Sequence, residues 1–129
     1  MKKHGILNRD IAEILAKLGH TDTIVIGDCG LPIPDQVRCI DLSLKKGVPS
    51  FLDVLEEVLN DMEVEAAICA EEIKRSNERV YNELYKNQFP IKFISHENFK
   101  KETQEAKVII RTGEITPYAN IILQAGVIF

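Results

Sequence analysis

Short runs of β-branched and aliphatic residues alternate along this chain with segments whose apolar residues recur every three or four positions. Few architectures accept that alternation. The run Thr23-Ile24-Val25-Ile26-Gly27 reads as a buried strand, because both of its faces are apolar. Ahead of it, Ile11, Ile14, Leu15 and Leu18 mark one face of a helix over residues 8–18. Asn8 can cap that helix, and Gly19 is placed to end it in the left-handed conformation. Residues 28–35 read as a loop and 37–42 as a second strand. Residues 50–62 carry the strongest helical stripe, with Ser50 and Asp53 resembling a capping box. Residues 64–70 read as a strand, 76–86 as a helix, 91–94 as a strand and 95–103 as a short helix capped by Ser95. Residues 108–110 read as a fifth strand and 120–129 as a final β segment. Strands interleaved with helices predict an α/β domain over residues 1–129, a three-layer αβα sandwich with a mostly parallel, Rossmann-like sheet.

A chain of 129 residues can bury a real core without staples. Its 45% hydrophobic and 28% charged content is that of a globular protein. The net charge is -4, and no segment concentrates Lys and Arg enough to neutralise a row of phosphates, so no nucleic-acid partner is expected. No apolar run approaches a membrane span, and the first ten residues lack the apolar stretch of a signal peptide. Three cysteines without CxxC spacing argue against a disulfide framework or a zinc site and suit a reducing, cytoplasmic setting. The apolar end, Val127-Ile128-Phe129, calls for burial in the core or against another subunit.

Ligands of open α/β sheets bind beyond the carboxyl ends of the strands. Asp28 follows the first strand, His96 the fourth, and Thr112, Gly113 and Glu114 the fifth. Lys100 shares a helix face with His96. Tyr118 and Asn120 add an aromatic wall and an amide that both donates and accepts. Together these groups suit a neutral, polyhydroxylated ligand. His20 lies at the other end of the first strand. Five strand residues span roughly 16 Å, so within one chain His20 and Asp28 belong far apart. Either His20 has no part in the site, or a neighbouring subunit supplies it.

Each of these residues also has a structural reading. His20 follows a helix C-terminus, where a cationic imidazole suits the dipole. Asp28 beside Gly30 fits a turn. His96 can be a surface residue, Tyr118 packing, and Cys29 a small buried thiol. Walker, Gly-x-Gly-x-x-Gly and Gly-x-Ser-x-Gly patterns are absent, and no cluster has metal-ligand spacing. From the residues themselves, the chain is a small α/β enzyme or binding protein.

The segments Lys3-His4-Gly5-Ile6-Leu7-Asn8, Leu18-Gly19-His20-Thr21-Asp22, Asp28-Cys29-Gly30-Leu31-Pro32-Ile33-Pro34 and Ile40-Asp41-Leu42-Ser43-Leu44 resemble the ribose pyranase and fucose mutarotase family. So does the C-terminal stretch containing Arg111-Thr112-Gly113-Glu114 and Pro117-Tyr118-Ala119-Asn120. The likeness runs the full length and is weakest over residues 60–89. Cys29 departs from the small residue expected there. The resemblance implies a cytoplasmic isomerase that interconverts the β-pyranose and β-furanose forms of D-ribose by acid/base ring opening and closing. The furanose would supply ribokinase. It further implies His20 as catalytic acid and Asp28, His96, Lys100, Tyr118, Ala119 and Asn120 as sugar-binding residues. No cofactor or metal is implied. The implied assembly is a pentamer or decamer with sites between subunits, which agrees with the distance between His20 and Asp28. A fucose-type mutarotase, or a non-catalytic sugar-binding subunit assisting ribose transport, are the alternatives.

Overall fold

The computed structural model describes residues 1–129. Helix α1 (Arg9–Lys17) leads into β1 (Thr23–Gly27) and β2 (Arg38–Asp41). Then come α2 (Phe51–Asp61), β3 (Val64–Ala70), α3 (Ile73–Ser76), α4 (Glu78–Leu84) and β4 (Ile91–Ile94). Helix α5 (His96–Glu102), a 3-10 turn (Thr103–Glu105), β5 (Val108–Arg111) and β6 (Ile121–Ala125) complete the chain. The six strands form one sheet in the order β2-β5-β1-β6-β3-β4. Strand β6 runs antiparallel to β1 and β3, and the other neighbours are parallel. The expected α/β class and mostly parallel, mixed sheet are therefore both present.

Alternation along the strands divides the core between the two faces. Ile24, Ile26, Ile110, Ile121 and Leu123 face a layer formed by α1, α2 and α4, where Phe51, Val58 and Leu84 are buried. Each such side chain contributes about 1.5–3 kcal/mol on burial. Val25, Ile109 and Ile122 face the opposite way, onto Phe99 of α5 and Leu31 and Val37 of the loop after β1. Residues of β1 are buried on both faces, which explains why it reads as a continuous apolar run.

Helix starts follow the sequence closely. The Asn8 side chain accepts the Asp10 and Ile11 N–H groups, and those of Ser50 and Ser95 accept Asp53 N–H and Asn98 N–H. Three expectations are corrected. Gly19 is not left-handed: Leu18 leaves the helix extended, the Gly19 N–H donates to Asp22 Oδ2 at 2.8 Å, and Thr21 takes the positive φ of 71°. Residues 76–86 are not one helix. The helical segment begins at Ile73 and breaks at Asn77, whose buried amide donates to Thr116 Oγ1 at 2.9 Å and to the Pro117 carbonyl at 2.8 Å. Finally, the last strand stops at Ala125, and Ile128 and Phe129 are fully exposed. The chain's own core does not bury that end.

Candidate active site

The polar residues that follow β1, β3, β4 and β5 gather at one end of the sheet, as the parallel strand order dictates. Asp28 and Asn120 form its centre. The Asp28 N–H donates to Asn120 Oδ1 at 2.8 Å, and Asn120 Nδ2 donates to Asp28 Oδ2 at 3.0 Å. Their contact spans 92 residues of sequence. Gly27 permits it, because a Cβ at that position would lie 3.1 Å from Asn120 Oδ1 and 2.8 Å from Leu31 Cδ2. Asp28 Oδ1 also accepts the Gly30 N–H at 2.8 Å, so the residue forms a turn as well. A carboxylate offers about four acceptor positions, and two of them here are occupied by Gly30 and Asn120. The remainder can receive hydroxyl hydrogens.

His96 opens α5, with its N–H donated to both carboxylate oxygens of Glu72, at 2.9 and 3.1 Å. Its ring stacks on Phe99 and meets Tyr118 edge-on, with centroids 5.1 Å apart. His96 Nδ1 is buried with no protein partner, in a molecule that otherwise pairs its buried side-chain polar atoms. Tyr118 adopts a φ of 56°, a left-handed conformation that costs a non-glycine residue about 1–3 kcal/mol. Its neighbours hold it there: Asn77 binds the Pro117 carbonyl, and the Asn120 N–H donates to the Tyr118 carbonyl at 2.9 Å. Asp28, Asn120, Tyr118 and His96 are thus brought together. Ala119 is fully buried in the core, so any contact it makes with a ligand falls to its backbone. Lys100 pairs with Glu97 at 2.7 Å and makes no hydrogen bond or ion pair with the other four.

Glu114 supports this end of the sheet from beneath. Its carboxylate accepts the Phe51 N–H at 3.0 Å, at the start of α2, and the Thr116 N–H and hydroxyl at 3.2 and 2.9 Å. The Glu114 carbonyl accepts the Cys29 N–H. Burial pushes the Glu114 carboxyl up, but the donors from Phe51 and Thr116 outweigh it and hold the group below its ordinary value of 4.5. A carboxyl lowered in the folded state stabilises above the unfolded value, and that contribution is lost as pH falls through the folded value. Chemical denaturation of Glu114→Gln is therefore expected to show a shallower loss of stability than the parent as pH drops below 4.5. Parallel curves would remove Glu114 from the acid response. At neutral pH Glu114→Ala should cost about 2–3 kcal/mol, because the Phe51 N–H loses a charged acceptor.

His20 stands at the opposite end of β1. Strand β1 has the five residues expected, so roughly 16 Å of backbone separates His20 from Asp28. The imidazole is exposed, with Nε2 2.8 Å from Glu65 Oε2 at the start of β3. Glu72, Asn77 and Glu65 were not singled out by sequence reasoning. A poor helix former such as Asn77 within an apparent helix is a weak signal of a break, whereas Glu65 and Glu72 carry no local mark. Cys29 is half-buried rather than buried, and Arg111 holds its carbonyl through Nε and Nη2 at 3.1 and 2.9 Å. The buried thiol is Cys69, which burial pushes up to about 12.

The family model of the RbsD / FucU transport protein family matches residues 1–128. The chain belongs to that family. It is 64% identical to the D-ribose pyranase of Halalkalibacterium halodurans over 129 residues, covering all of both chains. It superposes on the structure of Bacillus subtilis RbsD complexed with D-ribose with a TM-score of 0.96, at 56% identity and with full coverage of both chains. The fucose mutarotase of Streptococcus pneumoniae, solved in complex with L-fucose, shares the fold, with a TM-score of 0.76 over 99% of this chain and 100% of that one. Its identity is 24%. No helix here is long and apolar enough to cross a membrane.

Proposed function

We propose that this chain is a D-ribose pyranase, an isomerase that interconverts the β-pyranose and β-furanose forms of D-ribose. Full-length identity of 64% to a protein of that name carries the reading. The likeness to a ribose-bound relative supports it, and ribose is favoured over fucose because the fucose-bound relative is far more distant.

Ring opening breaks the bond between C1 and the ring oxygen. A proton must reach that oxygen while one leaves the anomeric hydroxyl. The open aldehyde then closes through a different hydroxyl with the roles reversed. Imidazole can give and take protons near neutral pH, so His20 serves as the acid for opening and as the base for the return. Asp28 and Asn120 hold hydroxyls through the acceptor and donor positions left by their clasp. His96 Nδ1 contributes a further polar contact, Tyr118 forms the wall, Ala119 contributes backbone, and Lys100 turns from Glu97 to the sugar. The molecule is a single domain over residues 1–129.

His20 reaches the sugar from a neighbouring copy of the chain. Its distance from Asp28 and the exposure of Ile128 and Phe129 both support a homo-oligomer, a pentamer or decamer with shared sites. The enzyme acts in the cytoplasm and delivers furanose to ribokinase. Saturation-transfer NMR on D-ribose tests the activity. Added protein should speed magnetisation transfer between pyranose and furanose signals; ribose binding without faster exchange would instead mark a non-catalytic sugar-binding subunit. Sedimentation should give a large oligomer, and a fully active monomer would overturn the shared site.

A further inference from the structure

His20 does not stand alone at its end of the sheet. Glu65 Oε2 lies 2.8 Å from His20 Nε2, and Gln124 Nε2 donates to the other oxygen, Glu65 Oε1. Three separate backbone features produce this cluster. The first is an irregularity in the β3–β6 ladder: Val64 pairs with Ala125 and Ala66 with Gln124, so Glu65 is an extra residue on its strand. Such bulges re-aim side chains and are enriched beside active sites. The second is Gly126, where a Cβ would lie 3.2 Å from Glu65 Cβ, so the bulge packs directly on that glycine. The third is the turn carrying His20. Thr21 is left-handed, an uncommon state for a β-branched residue, and its N–H donates to the Ala125 carbonyl at 3.0 Å. The Ala125 N–H donates back to the Asp22 carbonyl at 2.8 Å. The turn, the bulge and the end of β6 thus form one backbone unit that faces an imidazole with a carboxylate.

We infer that Glu65 is the positioning residue of His20, orienting its ring and selecting its tautomer, with Gln124 orienting Glu65 in turn. A carboxylate on Nε2 requires hydrogen there. Nδ1 is then the atom that exchanges protons with the sugar, as a donor in the cation and an acceptor in the neutral ring. A carboxylate partner of this kind fixes the orientation and tautomer of a functional histidine, and about 10–100-fold is the loss when such a partner is removed from a metal-bound histidine. The hydrogen bond from His20 holds the Glu65 carboxyl below its ordinary range, with help from Gln124, so it is ionised and accepts. Both side chains are partly solvated, so the pair adds little to folding. Its worth lies in geometry.

The inference rests on His20 being the catalytic acid, and the test separates the two ideas. Ribose exchange is measured by saturation-transfer NMR for the parent, Glu65→Ala, Glu65→Gln, His20→Ala and the His20→Ala/Glu65→Ala double variant. Glu65→Ala should lower the exchange rate at saturating ribose by about 10–100-fold while half-saturation stays near the parent value. Glu65→Gln, which keeps an acceptor oxygen, should recover part of that loss. Removing Glu65 in the His20→Ala background should change nothing further. Long-range 1H–15N spectra should show the Nε2–H tautomer of neutral His20 in the parent and a mixture in Glu65→Ala. If His20→Ala abolishes exchange but Glu65→Ala leaves rate and tautomer unchanged, the positioning role is overturned and the catalytic reading survives. If His20→Ala itself leaves exchange unchanged, the catalytic reading fails.

Discussion

Replacing His20 with alanine is expected to slow protein-dependent exchange of ribose ring forms by at least about 10²-fold. A general acid or base typically supplies about 10²–10⁴-fold, and His20 is asked to act in both directions of the reaction. The fold should not suffer. The His20 side chain is 53% exposed and its hydrogen-bond partner is the half-exposed Glu65. Far-UV circular dichroism and sedimentation should therefore match the parent. Ribose should still bind, because Asp28 and Asn120 lie at the far end of β1 and their clasp does not involve His20. Full exchange in this variant would remove His20 from the mechanism.

The largest effect on stability is expected from Gly113→Ala. A Cβ at Gly113 would lie 2.3 Å from the Val48 carbonyl oxygen and 2.6 Å from that of Lys45. Both obstacles are backbone, so no side chain can swing aside. The Gly113 N–H donates to Pro49 O at 2.9 Å, and its carbonyl accepts the Gly47 N–H at 2.6 Å. Relieving the clash means breaking those bonds and moving the segment that leads into α2. Glu114, next in sequence, receives the first N–H of that helix. A loss of about 3 kcal/mol or more should follow, lowering the midpoint of thermal unfolding by roughly 10 °C. A shift of less than about 2 °C would show that residues 45–49 give way freely.

Much of the fold was legible because local chemistry and global packing agree. Val25 faces one core and Ile24 and Ile26 the other, so β1 is apolar throughout and its bounds fall where the sequence places them. Asn8, Ser50 and Ser95 cap helices for a reason confined to a few residues. The break at Asn77 left only a weak mark in the sequence, because its cause is a pair of acceptors at Thr116 and Pro117, about forty residues away. Gly19 shows a similar limit. The Asp22 carboxylate captures its N–H and transfers the left-handed turn to Thr21.

The sequence by itself determined the alternating α/β architecture, the buried faces of the helices, the membership marked by the Gly-His-Thr-Asp and Pro-Tyr-Ala-Asn segments, and the distance of His20 from Asp28. The membership rests on the resemblance of those segments to the family; the architecture, the buried faces and the distance follow from periodicity, capping and strand length, which act within a few residues. Only the tertiary structure decided which polar groups meet. Strand order brings Asp28 to Asn120 across 92 residues, and sets His96 against Tyr118. A one-residue bulge turns Glu65 toward His20. Such contacts depend on strand register and long-range hydrogen bonds, and a linear pattern of hydrophobicity records neither.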